Sequence, residues 1–150
     1  MARLFLDTSA LVKLYVREPG TDRVLGLAAA ADAELLLLAL TRVELRAAIR
    51  RRERMGDIVS EDADRAIGQF EADWQRQFLI QAATDGVLSS AVALVDRHGL
   101  RALDALQLGA CLTLFQAGGA DPPLFVCSDQ QLNQAAAAEG LRFLDPAATD

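Results

Sequence analysis

Short apolar segments alternate with helical patterns along the chain, and this alternation constrains the fold more than any other feature. One apolar run ends at Asp7, a second covers residues 34–39 and a third covers residues 124–127, and each precedes a segment with helical spacing. Because parallel strands need crossover connections, which are usually helices, the alternation predicts an α/β fold. We expect a three-layer α/β/α sandwich with a mainly parallel central sheet.

Several of the predicted helices have clear ends or a clear buried face. We predict helices over residues 85–98 and 102–116, because glycine, which favours a helix end, closely follows each of them. From Ser60 onwards, apolar residues recur at gaps of three or four, which predicts a helix with one buried stripe. The members of this stripe are Ala63, Ile67, Phe70, Trp74 and Phe78.

The length and the apolar runs suggest one soluble domain. A chain of 150 residues can bury a full hydrophobic core, so we expect a single domain over residues 1–150. No apolar run approaches the length of a membrane span and no secretory leader opens the chain, so we expect a cytoplasmic protein that does not bind a membrane. Cys111 and Cys127 lie in apolar segments without metal-type spacing. We expect both to be small buried side chains that carry no chemistry.

The basic residues are concentrated in one segment, although the net charge of −6 does not favour broad binding to nucleic acid. Residues 42–54 contain six of the 15 basic residues and only two acids. Thr41 is predicted to start a helix over this segment. The helix presents either a solvated charged face or a surface that contacts phosphate groups.

Three acidic residues occur where the predicted strands end. Asp7, Glu44 and Asp129 lie at or just after carboxyl ends of strands, where ligands gather in open α/β sheets. Each acid also has a purely structural explanation. Asp7 fits a turn, Glu44 fits a capping box with Thr41, and Asp129 fits the first helical turn of a second capping box that starts at Ser128.

Asp104 is a fourth acid, and it lies in a predicted helix whose other residues are mostly apolar. We therefore expect Asp104 to be buried, and a buried carboxylate needs a cation, hydrogen-bond donors, a metal ion or a proton. A salt bridge to Arg101 is the structural alternative. Gln107, three residues further on, shares the face of Asp104 and is expected to support whatever Asp104 binds.

Four segments carry these acids, and together they resemble the PIN-domain ribonucleases, in particular the VapC-like toxins of type II toxin–antitoxin systems. The segments begin at Leu4, Leu40, Leu100 and Phe125 and read LFLDTSALVKLY, LTRVELRAAIRR, LRALDALQLGACL and FVCSDQQLNQAA. The resemblance implies a PIN-like fold, with catalysis and metal binding by Asp7, Glu44, Asp104 and Asp129. It also implies supporting hydrogen bonds from Thr8 and Ser128.

The same resemblance implies an activity and partners. The expected enzyme is an endoribonuclease that hydrolyses RNA phosphodiester bonds, forms a homodimer and is held inactive by a cognate antitoxin protein. Oxygen ligands suit Mg²⁺, with Mn²⁺ as the alternative, and such an ion activates water and polarises the phosphoryl group. Candidates for contact with RNA phosphates are Arg46, Arg51 and Arg101. Arg51 lies seven residues after Glu44 and so nearly shares its helix face.

Other kinds of chemistry are less compatible with the sequence. His98 is the only histidine, so cleavage by two histidines and Ser-His or Cys-His catalysis lack their base, and no glycine-rich phosphate loop is present. An aspartate-dependent phosphatase would need a second acid two residues after Asp7, where this chain has Ser9. A non-catalytic PIN-like interaction module that uses the aromatic stripe and the acidic surface remains an alternative.

Overall fold

A computed structural model describes residues 2–119 and 121–149. In these ranges five strands alternate with seven α-helices. The strands are β1 (Ala2–Leu6), β2 (Ala33–Leu38), β3 (Phe78–Gln81), β4 (Leu124–Val126) and β5 (Phe143–Leu144). The helices are α1 (Thr8–Leu11), which a 3-10 turn (Val12–Leu14) continues, α2 (Thr21–Ala28), α3 (Thr41–Arg54), α4 (Ser60–Asp73), α5 (Asp85–His98), α6 (Ala102–Gln116) and α7 (Gln130–Ala138). None of these helices combines the length and the apolarity that crossing a membrane requires.

The strands form one parallel sheet with the order β3-β2-β1-β4-β5. The first strand of the chain is therefore the central one. The chain builds outward from β1 through β2 to β3, and then crosses back to add β4 and β5 on the other side. Strands β2 and β3 lie on one side of β1, and β4 and β5 lie on the other, so the order in which strands are added reverses between β1 and β4. In open parallel sheets, ligands bind in the crevice outside the carboxyl ends of the strands at such a point.

Helices cover both faces of the sheet, as the sequence predicts. Phe5 and Leu36 point to one face, where they pack with residues of α5, α6 and α7. Leu4 and Leu35 point to the other face, where they pack with residues of α1, α3 and α4. Because side chains alternate between the faces of a strand, the unbroken leucine run over residues 35–38 is buried in both layers. The predicted three-layer α/β/α architecture is confirmed.

The predicted aromatic stripe does not lie on a single helix. Helix α4 ends at Asp73, whose backbone oxygen accepts hydrogen bonds from the backbone amides of Arg76 and Gln77. Phe78 is instead the first residue of β3. The turn returns the chain towards α4, so the Phe78 ring still lies 6.1 Å from that of Phe70. The prediction of burial is confirmed for Phe78, whereas its placement on the helix is wrong.

Helices α5 and α6 approach each other closely at Gly109 of α6. A Cβ atom on Gly109 would lie 3.1 Å from the backbone nitrogen of Ala91 and 3.3 Å from the backbone oxygen of Val87. Both are backbone atoms of α5, so they cannot give way by a change of rotamer. The close approach fixes the position of α6, which carries Asp104 and Gln107.

We expect Gly109→Val to destabilise the protein by about 1–3 kcal/mol, because the larger side chain forces the two helix backbones apart. Gly68→Val is the matched control, since Gly68 is an exposed residue of α4 whose Cβ would meet no other atom within 4 Å. Urea unfolding of both variants measures the difference. Equal midpoints for the two variants would show that the contact at Gly109 is not tight.

Candidate active site

The acids predicted from the sequence lie at the carboxyl edge of the sheet. Asp7 directly follows β1 and caps α1, and Asp129 follows β4 and caps α7. Glu44 lies in the first turn of α3, just after β2. These three strands are neighbours, with β1 in the middle. Parallel pairing thus brings the three chain segments to the same edge.

Asp7 is the most buried of the acids, with 5% of its surface exposed. Its Oδ2 atom accepts a hydrogen bond from Ser9 Oγ at 2.7 Å and another from Cys127 Sγ at 3.3 Å. Burial raises the pKa of Asp7, these hydrogen bonds lower it, and the charge of Asp104 raises it further. Asp7 is therefore held in place by neutral donors, while its negative charge stays poorly compensated.

Glu44 is partly buried and faces the same acids. Its pKa is raised by burial and also by the charges of Asp7 and Asp104, whereas a hydrogen bond from Gln107 lowers it. That bond joins Gln107 Nε2 to Glu44 Oε1 at 2.9 Å. The predicted capping box is absent, because α3 has no side-chain cap and the Thr41 hydroxyl is buried against Gln107. Glu44 is therefore not tied to the start of its own helix.

Asp104 is only partly buried, which corrects the sequence-based expectation. Its side chain is 26% exposed, because it lies in the first turn of α6, where the helix begins at the surface. The predicted alternative, a salt bridge, is present: Arg101 Nε lies 3.2 Å from Asp104 Oδ2. Asp104 nevertheless raises the pKa of both Asp7 and Glu44, so its charge acts on these two acids.

Asp129 is the least integrated of the four acids. Its Oδ1 atom accepts from the backbone amide of Leu132 at 2.8 Å, so Asp129 itself caps α7, whereas the structural alternative read from the sequence is a capping box that starts at Ser128. Its charge is not among the main causes of the raised pKa of Asp7 or Glu44. The segment is still tied to the site, because the backbone amide of Ser128 donates to Ser9 Oγ at 3.0 Å.

The two predicted supporting hydroxyls differ in their contacts. Thr8 Oγ1 accepts a hydrogen bond from Gln107 Nε2 at 3.2 Å. Ser128 Oγ is buried and has no partner among the described residues. Cys127 is buried as predicted, yet its thiol contacts Asp7, so it belongs to the site. Burial and the charge of Asp7 raise the pKa of the Cys127 thiol, which keeps it protonated and able to donate.

The oxygen atoms of these acids suit a hard divalent cation. Asp7, Glu44 and Asp104 offer carboxylate oxygens, which Mg²⁺ and Mn²⁺ prefer. Within residues 2–119 and 121–149, no lysine, arginine or histidine pairs with Asp7 or Glu44. In the same ranges, however, no three acidic, histidine or cysteine side chains are close enough together to form a ready-made metal site. Asp7, Glu44 and Asp104 act on one another electrostatically without forming a closed coordination shell.

The three arginines proposed for RNA contact have different surroundings. Arg46 Nη2 lies 3.3 Å from Glu71 Oε1, and Arg101 pairs with Asp104. Arg46 and Arg101 therefore each have an acidic partner. Arg51 is exposed, and in the described part of the chain its side chain makes no ion pair and no hydrogen bond. Arg51 is therefore the most available of the three cations.

Comparison with known proteins assigns the family. The model of the PIN domain matches residues 4–137. The chain belongs to the PIN domain family. Nucleases of this family typically use divalent metal ions, in agreement with the oxygen donors of the cleft. A search among curated proteins found no match.

Solved structures share the fold of this PIN domain at low sequence identity. FitAcB from Neisseria gonorrhoeae is 16% identical with a TM-score of 0.67, and the match covers 95% of this chain and 97% of that one. A toxin–antitoxin complex from Klebsiella pneumoniae is 14% identical with a TM-score of 0.62 and the same coverage. VapBC2 from Rickettsia felis, bound to a promoter DNA fragment, is 11% identical with a TM-score of 0.63, again with 95% and 97% covered.

We expect Asp7→Asn to stabilise the metal-free protein at pH 7 by about 1 kcal/mol or more, because it removes a buried and poorly compensated charge. The raised pKa means that the folded state binds the proton of Asp7 more tightly than the unfolded chain. Wild-type stability therefore falls as the pH rises from the ordinary value of 3.8 through the folded pKa. Urea unfolding across this range measures the effect.

The advantage of Asp7→Asn over the wild type should disappear at a pH below 3.8, where the wild-type carboxyl is protonated in both states. Asp96→Asn, at an exposed position of α5, is the control and should change stability by less than about 0.5 kcal/mol. A variant that is less stable than wild type at pH 7 would argue against an uncompensated charge at Asp7.

Proposed function

We propose that this PIN domain is a metal-dependent endoribonuclease that hydrolyses RNA phosphodiester bonds. The observation that supports this proposal most directly is the electrostatic conflict in the cleft. Asp7 and Glu44 have raised pKa values, Asp104 adds to both shifts, and no cation of the described chain offsets the charge of Asp7 or Glu44. Such an arrangement costs folding stability and favours the binding of a positive ion.

Mg²⁺ is the proposed ion, with Mn²⁺ as a substitute. Asp7, Glu44 and Asp104 would hold it, and Asp129 would act as a further ligand or orient a water molecule. When bound, a divalent ion activates water for attack on phosphorus and offsets the charge that develops on the phosphate oxygens. The role of Asp129 is the least supported, since its carboxylate already caps α7.

Hydrogen bonds within the protein orient the side chains that take part in this chemistry. Ser9 donates to Asp7 and accepts from the Ser128 amide, so one hydroxyl joins the segments that follow β1 and β4. The Ser128 hydroxyl is buried without a partner in the described ranges, which leaves it able to bond a ligand. Arg51, on the face of α3 that carries Glu44, would contact an RNA phosphate beside the cleft.

We also propose a biological setting for the enzyme, as the toxin of a VapC-like toxin–antitoxin pair in the cytoplasm. The support is the PIN family match together with the fold shared with the Klebsiella toxin–antitoxin complex and VapBC2. The proposed partners are RNA as substrate, a cognate antitoxin that covers the acidic cleft, and a second copy of the chain in a homodimer.

A non-catalytic interaction module is the competing function. It is favoured because two of the acids already have structural roles: Asp129 caps α7, and Asp104 pairs with Arg101. It is disfavoured by the aromatic stripe, because Phe70 and Phe78 are buried in the core and therefore present no binding surface. A test for RNA cleavage decides between the nuclease and the non-catalytic module.

Purified wild-type protein should cleave RNA when Mg²⁺ or Mn²⁺ is present and not when EDTA removes the metal. Asp7→Asn and Asp104→Asn should each reduce the rate by about 100-fold or more, because each loses a charged ligand. Asp96→Asn is the surface control and should cleave at the wild-type rate. Circular dichroism checks that all variants are folded. Absence of metal-dependent cleavage by the wild type would leave the non-catalytic module as the better explanation.

Arg51→Glu should weaken RNA binding by about 3- to 10-fold at low salt, and less at high salt, because it replaces a phosphate contact with a repulsive charge. Binding of Mn²⁺ should be unchanged. Arg142→Glu is the matched control, since Arg142 is exposed and precedes β5, at the opposite edge of the parallel sheet. Fluorescence anisotropy with labelled RNA measures the RNA affinity of both arginine variants in the catalytically inactive Asp7→Asn background, and Mn²⁺ binding is measured on the arginine variants without Asp7→Asn. Equal RNA affinities for the two variants would exclude a contact by Arg51.

A further inference from the structure

We propose that Gln107 is a positioning residue of this site, which holds the Glu44 carboxylate in the orientation needed to bind the metal ion. This inference rests on the proposed function. It adds a neutral side chain on α6 to the acidic residues of the cleft and gives it a specific task.

The Gln107 side chain lies where three helices meet. It is fully buried, one helical turn after Asp104. Its Nε2 atom lies 2.9 Å from Glu44 Oε1, 2.7 Å from Thr41 Oγ1 and 3.2 Å from Thr8 Oγ1. One amide group therefore links α6 to α3 and to α1. Helix α6 carries Asp104, α3 carries Glu44, and α1 directly follows Asp7.

The chemistry of the partners fixes which way the amide faces. A carboxylate only accepts hydrogen bonds, so the nitrogen of Gln107, and not its oxygen, must face Glu44. The opposite atom, Gln107 Oε1, is buried and has no partner among the described residues. An unsatisfied buried oxygen lowers stability, so folding alone does not account for a glutamine at this position.

A neutral donor suits a carboxylate that must also bind a metal. Glu44 is partly exposed and is repelled by Asp7 and Asp104, so it needs donors that keep it from turning towards solvent. Gln107 is the stronger of these donors and Thr8 the weaker. A lysine or arginine in place of Gln107 would hold Glu44 but would also neutralise it and repel a cation. The amide of Gln107 holds the carboxylate and leaves its charge for the ion. Because Asp104 lies on the same helix, the bond also fixes Glu44 relative to Asp104.

Gln107→Met tests this role, because methionine has a similar length but no donor. We expect the folded variant to bind Mn²⁺ about 10- to 100-fold more weakly in the absence of RNA, as measured by electron paramagnetic resonance. With RNA and Mn²⁺, kcat should fall while KM for RNA changes little. Gln116→Met, at an exposed position near the end of α6, is the matched control and should match the wild type in all three measurements.

A double-variant cycle separates positioning of Glu44 from a general structural effect. If Gln107 acts through Glu44, the variant with both Glu44→Gln and Gln107→Met should bind Mn²⁺ no more weakly than Glu44→Gln alone. Fully additive losses overturn the proposal. If Gln107→Met does not fold, Gln107→Asn replaces it, since its shorter amide cannot reach Glu44. The same loss of Mn²⁺ affinity is then expected, and wild-type affinity in either folded variant overturns the proposal.

The wild-type measurement separates this inference from the proposed function. A wild type that binds Mn²⁺ and cleaves RNA, with a Gln107→Met variant equal to it, removes the role of Gln107 and keeps the nuclease. A wild type that neither binds Mn²⁺ nor cleaves RNA overturns both.

Discussion

The mutual repulsion of Asp7, Glu44 and Asp104 at the carboxyl edge of the sheet is the constraint on which the site depends. Asp7 and Glu44 are held by neutral donors, and the described chain provides no cation to pair with either of them. Asp104 contributes to the repulsion while its own charge is partly offset by the exposed Arg101. A protein that evolved for stability alone would neutralise or disperse such charges. Their persistence in one cleft is the physical basis of the proposed metal-dependent activity.

The sheet topology brings these charges together. The central strand β1 delivers Asp7, its neighbour β2 leads to the first turn of α3, and its other neighbour β4 leads to Asp129. Helix α6 completes the arrangement, because its tight contact with α5 at Gly109 fixes the helix that carries Asp104 and Gln107. Hydrogen bonds from short polar side chains such as Ser9 then connect the segments that follow the strands. The packed core therefore determines where the polar groups at the carboxyl edge of the sheet lie.

Much of the fold follows from local patterns in the sequence. Unbroken apolar runs such as residues 35–38 identify strands buried on both faces, and Gly99 ends α5 at the predicted position, with a positive φ of 65°. Local patterns fail where the answer depends on tertiary contacts. The four-residue spacing from Trp74 to Phe78 spans a turn and not a helix, and the apolar neighbours of Asp104 do not reveal that the helix start is exposed.

The positions of Asp7, Glu44 and Asp129 are predictable, because strand ends can be read from apolar runs. Their hydrogen-bond partners are less so. The Cys127 thiol contacts Asp7 across 120 positions of the chain, and the Ser9 hydroxyl meets the Ser128 amide across 119, so neither contact has a local sequence signal. The apolar neighbours of Cys127 indicate burial but not the carboxylate it faces. Only Gln107 could be anticipated, from its helical spacing to Asp104.

The central claim is that these carboxylates share a divalent ion, and a crystal soaked in Mn²⁺ tests it most directly. Anomalous scattering locates manganese independently of any activity. One or two peaks are expected at the carboxyl edge of β1, in contact with carboxylate oxygens of Asp7 and at least one of Glu44 and Asp104. Crystals that hold saturating Mn²⁺ only at other surface positions, with these acids unchanged, would contradict it.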